Sequence, residues 1–204
     1  MTQGFNENKQ KEELADITEL TKEENSDALS LKEVLRELMI YALIVIVCVS
    51  VVPKYVIQRT IITGRSMERS LQDGDNVLVE KLFFRLSDPE RFDIVMFYPF
   101  GVEEEDYYVK RVIALPGETI QIIGDDIYID GELLEENYGK QAITYQGIAE
   151  EPITLGSDEY FLMGDNRKVS FDSRYEEIGP VKRELIAGKA LVRIWPFEKI
   201  GGID

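Results

Sequence analysis

The sequence predicts a mostly β protein: an antiparallel β body preceded by a single N-terminal transmembrane helix. Three observations carry that expectation. Residues 38–52, LMIYALIVIVCVSVV, are fifteen positions without a charge. Beyond residue 59 the chain breaks into short β-rich runs separated by turns. After residue 60 no useful length of chain repeats its apolar residues at the 3.6-residue helical period.

In order along the chain, residues 1–30 come first. They hold three lysines against eight acids, and so read as a disordered or loosely helical tail. The anchor follows over 31–57. Pro53 and Lys54 interrupt the apolar run and Tyr55-Val56-Ile57 resume it, so 38–57 reaches the roughly 20 residues a bilayer core requires if Lys54 snorkels at one edge. The competing assignment is a buried core segment, but a core helix rarely tolerates β-branched apolar residues on every side. A cleaved leader fits less well, since the preceding region is long and acidic and no small-x-small site follows. Flanking charges do not orient the span, because Lys32 and Arg36 at one end are matched by Lys54 and Arg59 at the other.

The β body is assigned to 58–204. Its strand candidates are NVLVEKLFF, DIVMFY, YYVKRVIAL, TIQIIG, DIYIDGELL, EYFLMG and ALVRIW. Gly124-Asp125 and Asp130-Gly131 predict a tight pair of hairpins among them. Near the C-terminus, Trp195-Pro196-Phe197 together with Phe83-Phe84 reads either as an interfacial apolar patch or as ordinary core.

Composition removes several function classes. A net charge of −16 opposes nucleic-acid binding, which needs basic surface to displace counterions from phosphate. It also opposes electrostatic membrane attachment, leaving apolar insertion. The chain has no histidine, and its one cysteine, Cys48, lies inside the apolar run. Histidine-based triads, Cys-His pairs and internal disulfides are therefore excluded, and hydrolytic chemistry falls to Ser, Thr, Lys, Tyr, Asp or Glu.

Four segments then stand out. They are GRSMERSL (64–71), GDNVLVEK (74–81), YVKRVIALPGE (108–118) and GDNRKVSFDSR (164–174). In the third, Lys110 sits in an apolar strand and shares its face with Tyr108, Val112 and Ala114. Burial disfavours an ammonium and lowers its pKa, which would let lysine accept a proton from a serine near neutral pH. The same lysine is equally a surface residue paired with Glu103-Glu104-Glu105-Asp106, and this segment alone leaves the two readings level. In the fourth, the i, i+2 spacing of Asp165 with Arg167 and of Asp172 with Arg174 predicts two ion pairs bracing a site, or else a solvated polar loop.

Together and in this order, the four segments resemble type I signal peptidases of the short Gram-positive form. These are bacterial membrane enzymes that remove signal peptides from exported proteins. The resemblance covers roughly residues 38–200. It implies that Ser66 is the nucleophile, that Lys110 is its general base, and that the Ser66 backbone N–H donates to the oxyanion. Ser170 would orient the Lys110 amine, while Asp165, Arg167, Asp172 and Arg174 brace the site. Ile62, Met67, Leu71, Tyr108 and Val109 match positions lining small-residue substrate pockets. The implied partners are signal peptides of exported preproteins and cytoplasmic membrane lipids. Nucleic acid, metal and cofactor are not implied, and the enzyme is expected to be monomeric. It would be single-pass, with the N-terminus cytoplasmic and the peptidase body outside.

The sequence departs from the family pattern in places. Arg69-Ser70 replaces the common Pro-Thr after the nucleophile, and Ala114 and Glu118 replace Gly and Asp after the lysine. Gly64 stands where other members carry a hydroxyl. A self-cleaving Ser/Lys repressor would carry an N-terminal DNA-binding domain rather than an apolar anchor. An inactive relative serving as an assembly chaperone would not need both Ser66 and Lys110. A plain membrane-anchored binding domain explains the β body but not four ordered motifs.

Overall fold

The computed structural model describes residues 31–104, 106–139 and 141–203, and the acidic tail expected over 1–30 lies outside them. The chain divides between Val49 and Ser50 into two compact units.

Helix α1 (Leu31–Ile46) continues through a π-turn (Val47–Val51) into α2 (Val52–Tyr55), a run of 25 helical residues. A helix of 25 residues rises about 37 Å, enough to cross a hydrocarbon core of about 30 Å. None of its side chains is buried, although almost every one from Leu38 to Val52 is apolar. The π-turn precedes Pro53, whose ring would collide with the Val49 carbonyl in a regular helix; widening the turn relieves that collision. The helix stops at Tyr55, short of the expected anchor end at Ile57. Ile57 instead opens a strand, pairing with Glu80.

The second unit is built on two antiparallel sheets. In chain order its strands are β1 (Ile57–Ile61), β2 (Asn76–Glu80), β3 (Ile94–Phe97), β4 (Tyr108–Ala114), β5 (Thr119–Ile123) and β6 (Asp126–Ile129). After them come β7 (Glu132–Leu133), β8 (Ile153–Thr154), β9 (Glu159–Met163), β10 (Val181–Lys182), β11 (Ile186–Trp195) and β12 (Gly201–Gly202). The larger sheet runs β1-β2-β11-β3-β4-β9-β10, with β12 against β11, and the smaller runs β7-β6-β5-β8. Each predicted run contributes a strand, but NVLVEKLFF is extended only as far as Glu80. The two hairpins form where Gly124-Asp125 and Asp130-Gly131 predicted them. At the second, Asp130 and Gly131 both take positive φ, 52° and 82°, as a two-residue hairpin turn of this twist demands.

Strand β3 is buried on both faces, which is why IVMF lacks polar alternation. Ile94 and Met96 join one apolar cluster with Ile62, Met67, Leu71 and Val109, while Val95 and Phe97 join another with Val112 and Leu162. A third cluster packs Ile113, Ala114, Phe161 and Met163 against the smaller sheet. A register shift between Val112 and Ala114 separates Ala114 from the face of Tyr108 and Val112. The expectation that it would share their face with Lys110 is corrected by that bulge. Phe84 is buried, whereas Phe83, Trp195 and Phe197 are exposed, the last two stacked edge to face at 4.6 Å.

Candidate active site

Ser66 lies on a turn just after β1. Gly64 opens that turn at φ 92°, a conformation that favours glycine, and its N–H donates to Asp73 at 2.7 Å. Met67 and Leu71 bury their side chains beneath the turn and fix its height, and the Leu71 N–H closes it on the Met67 carbonyl. The Ser66 carbonyl accepts a 2.9 Å hydrogen bond from the Asn166 N–H, tying the Ser66 turn to the 164–174 segment. The Ser66 N–H has no protein partner among the described residues, so it remains available to an incoming carbonyl oxygen.

Lys110 enters from β4. Its amine donates to Ser66 Oγ at 2.9 Å and to the Val109 carbonyl at 3.2 Å, and the residue is only 4% exposed. It also lies over the Tyr108 ring at 5.2 Å, as i, i+2 neighbours on one strand face should. Lys110 makes no ion pair among the described residues. Burial lowers its pKa to about 8; Asp172 and Asp165 resist that shift, and Arg174 adds to it. At pH 8 about half of such a group is free base, against less than about 1% for an ordinary lysine.

The bracing differs in part from expectation. Asp172 and Arg174 do form a buried bidentate pair, at 2.8 and 2.9 Å. Asp172 also accepts from the Gly164 N–H at 3.0 Å, and Arg174 donates to the Tyr145 carbonyl. Asp165, however, pairs with Arg111 rather than Arg167. Arg111 donates to both carboxylate oxygens at 2.9 Å and to the Ser70 hydroxyl at 2.8 Å, and its guanidinium stacks 3.7 Å from the Tyr138 centroid. It also reaches the carbonyl of Phe92, a residue held at φ 73°. Arg167 turns instead to Glu136, at 2.9 Å, and to the Gly164 carbonyl. Asp165 and Arg167 do not pair because the chain has left β9 at Met163 and turns, so the alternation of an extended strand no longer applies.

Ser170 is buried, but its hydroxyl makes no hydrogen bond among the described residues, to Lys110 or to any other group. It packs against Gly164, where a Cβ would lie 2.5 Å from the Ser66 carbonyl oxygen and closer still to Ser170 Oγ. Gly164→Ala should therefore push the Ser66 turn outward and lower kcat by about a hundredfold, the usual cost of an ångström-scale misplacement at a reacting group. A kcat within a few fold of wild type would show that the turn absorbs the methyl group without consequence.

A cleft of about 820 Å³ opens over the pair, lined by Ile62, Ser66, Met67, Tyr108, Val109 and Lys110. Leu71, expected among the pocket residues, is fully buried in the cluster below and does not line it. Val169 and Phe171 do line it and carry no sequence signal beyond their place in the fourth segment. On the cleft side, residues 108–110 of β4 pair only with β3 among the described residues, since β9 engages β4 from Arg111 onward. Strand β1 likewise pairs only with β2 among the described residues. Among the described residues, two strand edges are thus open near Ser66. Among the described residues no acids or cysteine gather into a metal-ligating group.

A serine hydroxyl that accepts a hydrogen bond from a buried lysine, on an antiparallel β scaffold, is an arrangement suited to a hydrolase that works without histidine. The family described as "Signal peptidase, peptidase S26" matches residues 34–195, and the chain belongs to this family of serine peptidases. It is 37% identical over 151 residues to a probable signal peptidase I-2 of Synechocystis, covering 72% of this chain and 67% of that protein. It is 32% identical to signal peptidase I of Bacillus amyloliquefaciens over 165 residues, 78% of this chain and 86% of that one. A crystal structure of a signal peptidase I from Enterococcus faecalis is 33% identical, with TM-score 0.38, covering 50% of this chain and 97% of the other.

Proposed function

We propose that this chain is a membrane-bound endopeptidase that removes signal peptides from exported preproteins by a Ser66–Lys110 dyad. The observation that carries the reading is the 2.9 Å hydrogen bond from a buried Lys110 amine to Ser66 Oγ. As free base, Lys110 takes the hydroxyl proton while Ser66 Oγ bonds to the scissile carbonyl carbon. The resulting oxyanion is met by the Ser66 N–H. Collapse breaks the peptide bond, and the departing amine, the new N-terminus, takes the proton from Lys110. Water then attacks the acyl carbon, giving a proton to Lys110; the ester bond to Oγ breaks as Lys110 returns that proton to Ser66, and the signal peptide leaves as a carboxylate, its acid proton passing to solvent.

The stretch before the cut adds as a strand beside the open edges of β1 and β4, so main-chain pairing supplies affinity. Small side chains face Ile62, Met67, Tyr108 and Val109. The 25-residue apolar helix favours a single-pass anchor. Because preproteins present their cleavage sites on the outer membrane face, residues 58–204 work outside and 1–30 lie in the cytoplasm. Both catalytic groups come from one chain, so a monomer suffices.

Only neutral Lys110 can accept the proton, so kcat/KM should rise with pH through about 8 and level off above it. At pH 6 it should lie about a hundredfold below the plateau. Cleavage of a purified preprotein in detergent across that range tests the dyad. An acidic limb near pH 10 would mean that Lys110 keeps an ordinary lysine pKa and is not the base. Protease added outside intact cells should digest the body but spare the N-terminal tail; the reverse pattern overturns the orientation.

A further inference from the structure

A second cleft, of about 750 Å³, lies away from the dyad and is lined by Lys54, Tyr55, Lys81, Arg85 and Leu86 among others. Its position in the chain is unusual. Lys54 and Tyr55 are the last residues of the apolar helix, so if that helix spans a bilayer they stand at headgroup depth. The Lys54 amine and the Arg85 guanidinium both lie over the Tyr55 ring, 5.3 and 5.7 Å from its centroid. Lys81 is 7% exposed, yet the only hydrogen-bond partner of its amine among the described residues is the neutral side-chain amide of Gln58. Burial and the neighbouring Arg85 both press its pKa down, as expected for a cation lacking a counter-ion.

None of these three cations is ion-paired among the described residues. Asp88, Asp158 and Glu184 also line the cleft, and of them Asp88 lies within 3.9 Å of Arg183. The cleft therefore gathers four cations against three acids in a chain of net charge −16. The turn that carries Lys81 and Arg85 also exposes Leu82, Phe83 and Leu86, at 40, 70 and 83%. Water is a poor solvent for three adjacent large apolar side chains, and they interleave with the basic residues as membrane-facing segments do.

We propose that this cleft holds the phosphate of an anionic phospholipid headgroup, with Lys54, Lys81 and Arg85 as donors and Leu82, Phe83 and Leu86 against the acyl chains. The site rests on Leu31–Tyr55 spanning the bilayer, and it is separate from catalysis. Its occupancy opposes the repulsion that an anionic membrane surface exerts on an acidic body.

The test uses the full-length protein in nanodiscs of phosphatidylcholine doped with phosphatidylglycerol. The complex is released into mild detergent and its retained lipid is read by native mass spectrometry. Phosphatidylglycerol should be retained in preference to phosphatidylcholine. Neutralising one donor should weaken retention about fivefold, and Lys54→Gln with Arg85→Gln about twenty-five-fold, as expected for one and two basic charges beside anionic lipid. Both residues are exposed, so these variants should fold and cleave preprotein in detergent at the wild-type rate. Unchanged retention in the double variant overturns the proposal, as does equal retention of phosphatidylcholine, which would show apolar adhesion alone. Displacement of the lipid by an equal concentration of inorganic phosphate would identify a free-anion site instead. Recovery of the protein from membranes without detergent would refute the span itself, and the lipid site with it.

Discussion

Ser66→Ala will lower kcat for preprotein cleavage by at least about a thousandfold while leaving KM within a few fold of wild type. In the proposed mechanism the hydroxyl contributes nothing to the edge pairing that binds the substrate and everything to the covalent step. Lys110→Met should be nearly as severe, because it keeps the buried stem and removes only the proton acceptor. If the two residues act on one proton, as proposed, Ser66→Ala with Lys110→Met should be no slower than Ser66→Ala alone. Steady-state kinetics on one purified preprotein measures all three. Additive losses would mean that the two groups act in separate steps, against the 2.9 Å contact between them.

The second large effect concerns stability. Arg111→Met should destabilise the body by about 3–5 kcal/mol, because it strands a carboxylate in an apolar interior. Asp165 is wholly buried, and without Arg111 its remaining side-chain partner is the Ser70 hydroxyl, at 2.6 Å. Replacing both partners, Arg111→Met with Asp165→Leu, should recover much of the loss, since no unpaired charge then remains. Urea unfolding in detergent followed by Trp195 fluorescence gives the comparison. A loss under about 1 kcal/mol for Arg111→Met would show that water reaches Asp165 and that the pair is not desolvated.

Much of the architecture was legible because alternation and turn chemistry act locally. DIYIDGELL contains its own turn residues, and it folds as two strands about Asp130-Gly131. The run NVLVEKLFF misled because apolar content was taken for strand. After Glu80 the chain turns, and its side-chain carboxylate accepts the N–H groups of Phe83 and Phe84. Strand β1 was hidden by the reverse error, since IQRTI follows the anchor directly and Ile57 extends its apolar run. At the site, the four segments marked the neighbourhood and the desolvated lysine. What they could not mark was pairing across the fold. Asp165 finds Arg111 some 54 positions away, and only strand register, β4 beside β9, brings them together. Arg111 did leave one signal: next to Lys110 on a strand, it must point to the other face, where a buried cation needs an acid.

Arg69, standing where relatives commonly carry proline, turns out to be a clasp. Its guanidinium donates to the Gly139 carbonyl and to the Asn137 side chain, both at 2.9 Å, at an exposed position. A proline stiffens a turn through its own ring, at any temperature and independently of its neighbours. A clasp of two solvent-accessible hydrogen bonds is reversible and depends on a loop 70 residues distant for its hold. Warming therefore loosens the Arg69 clasp before anything else around Ser66, while buried Met67 and Leu71 keep the turn itself seated on the sheet.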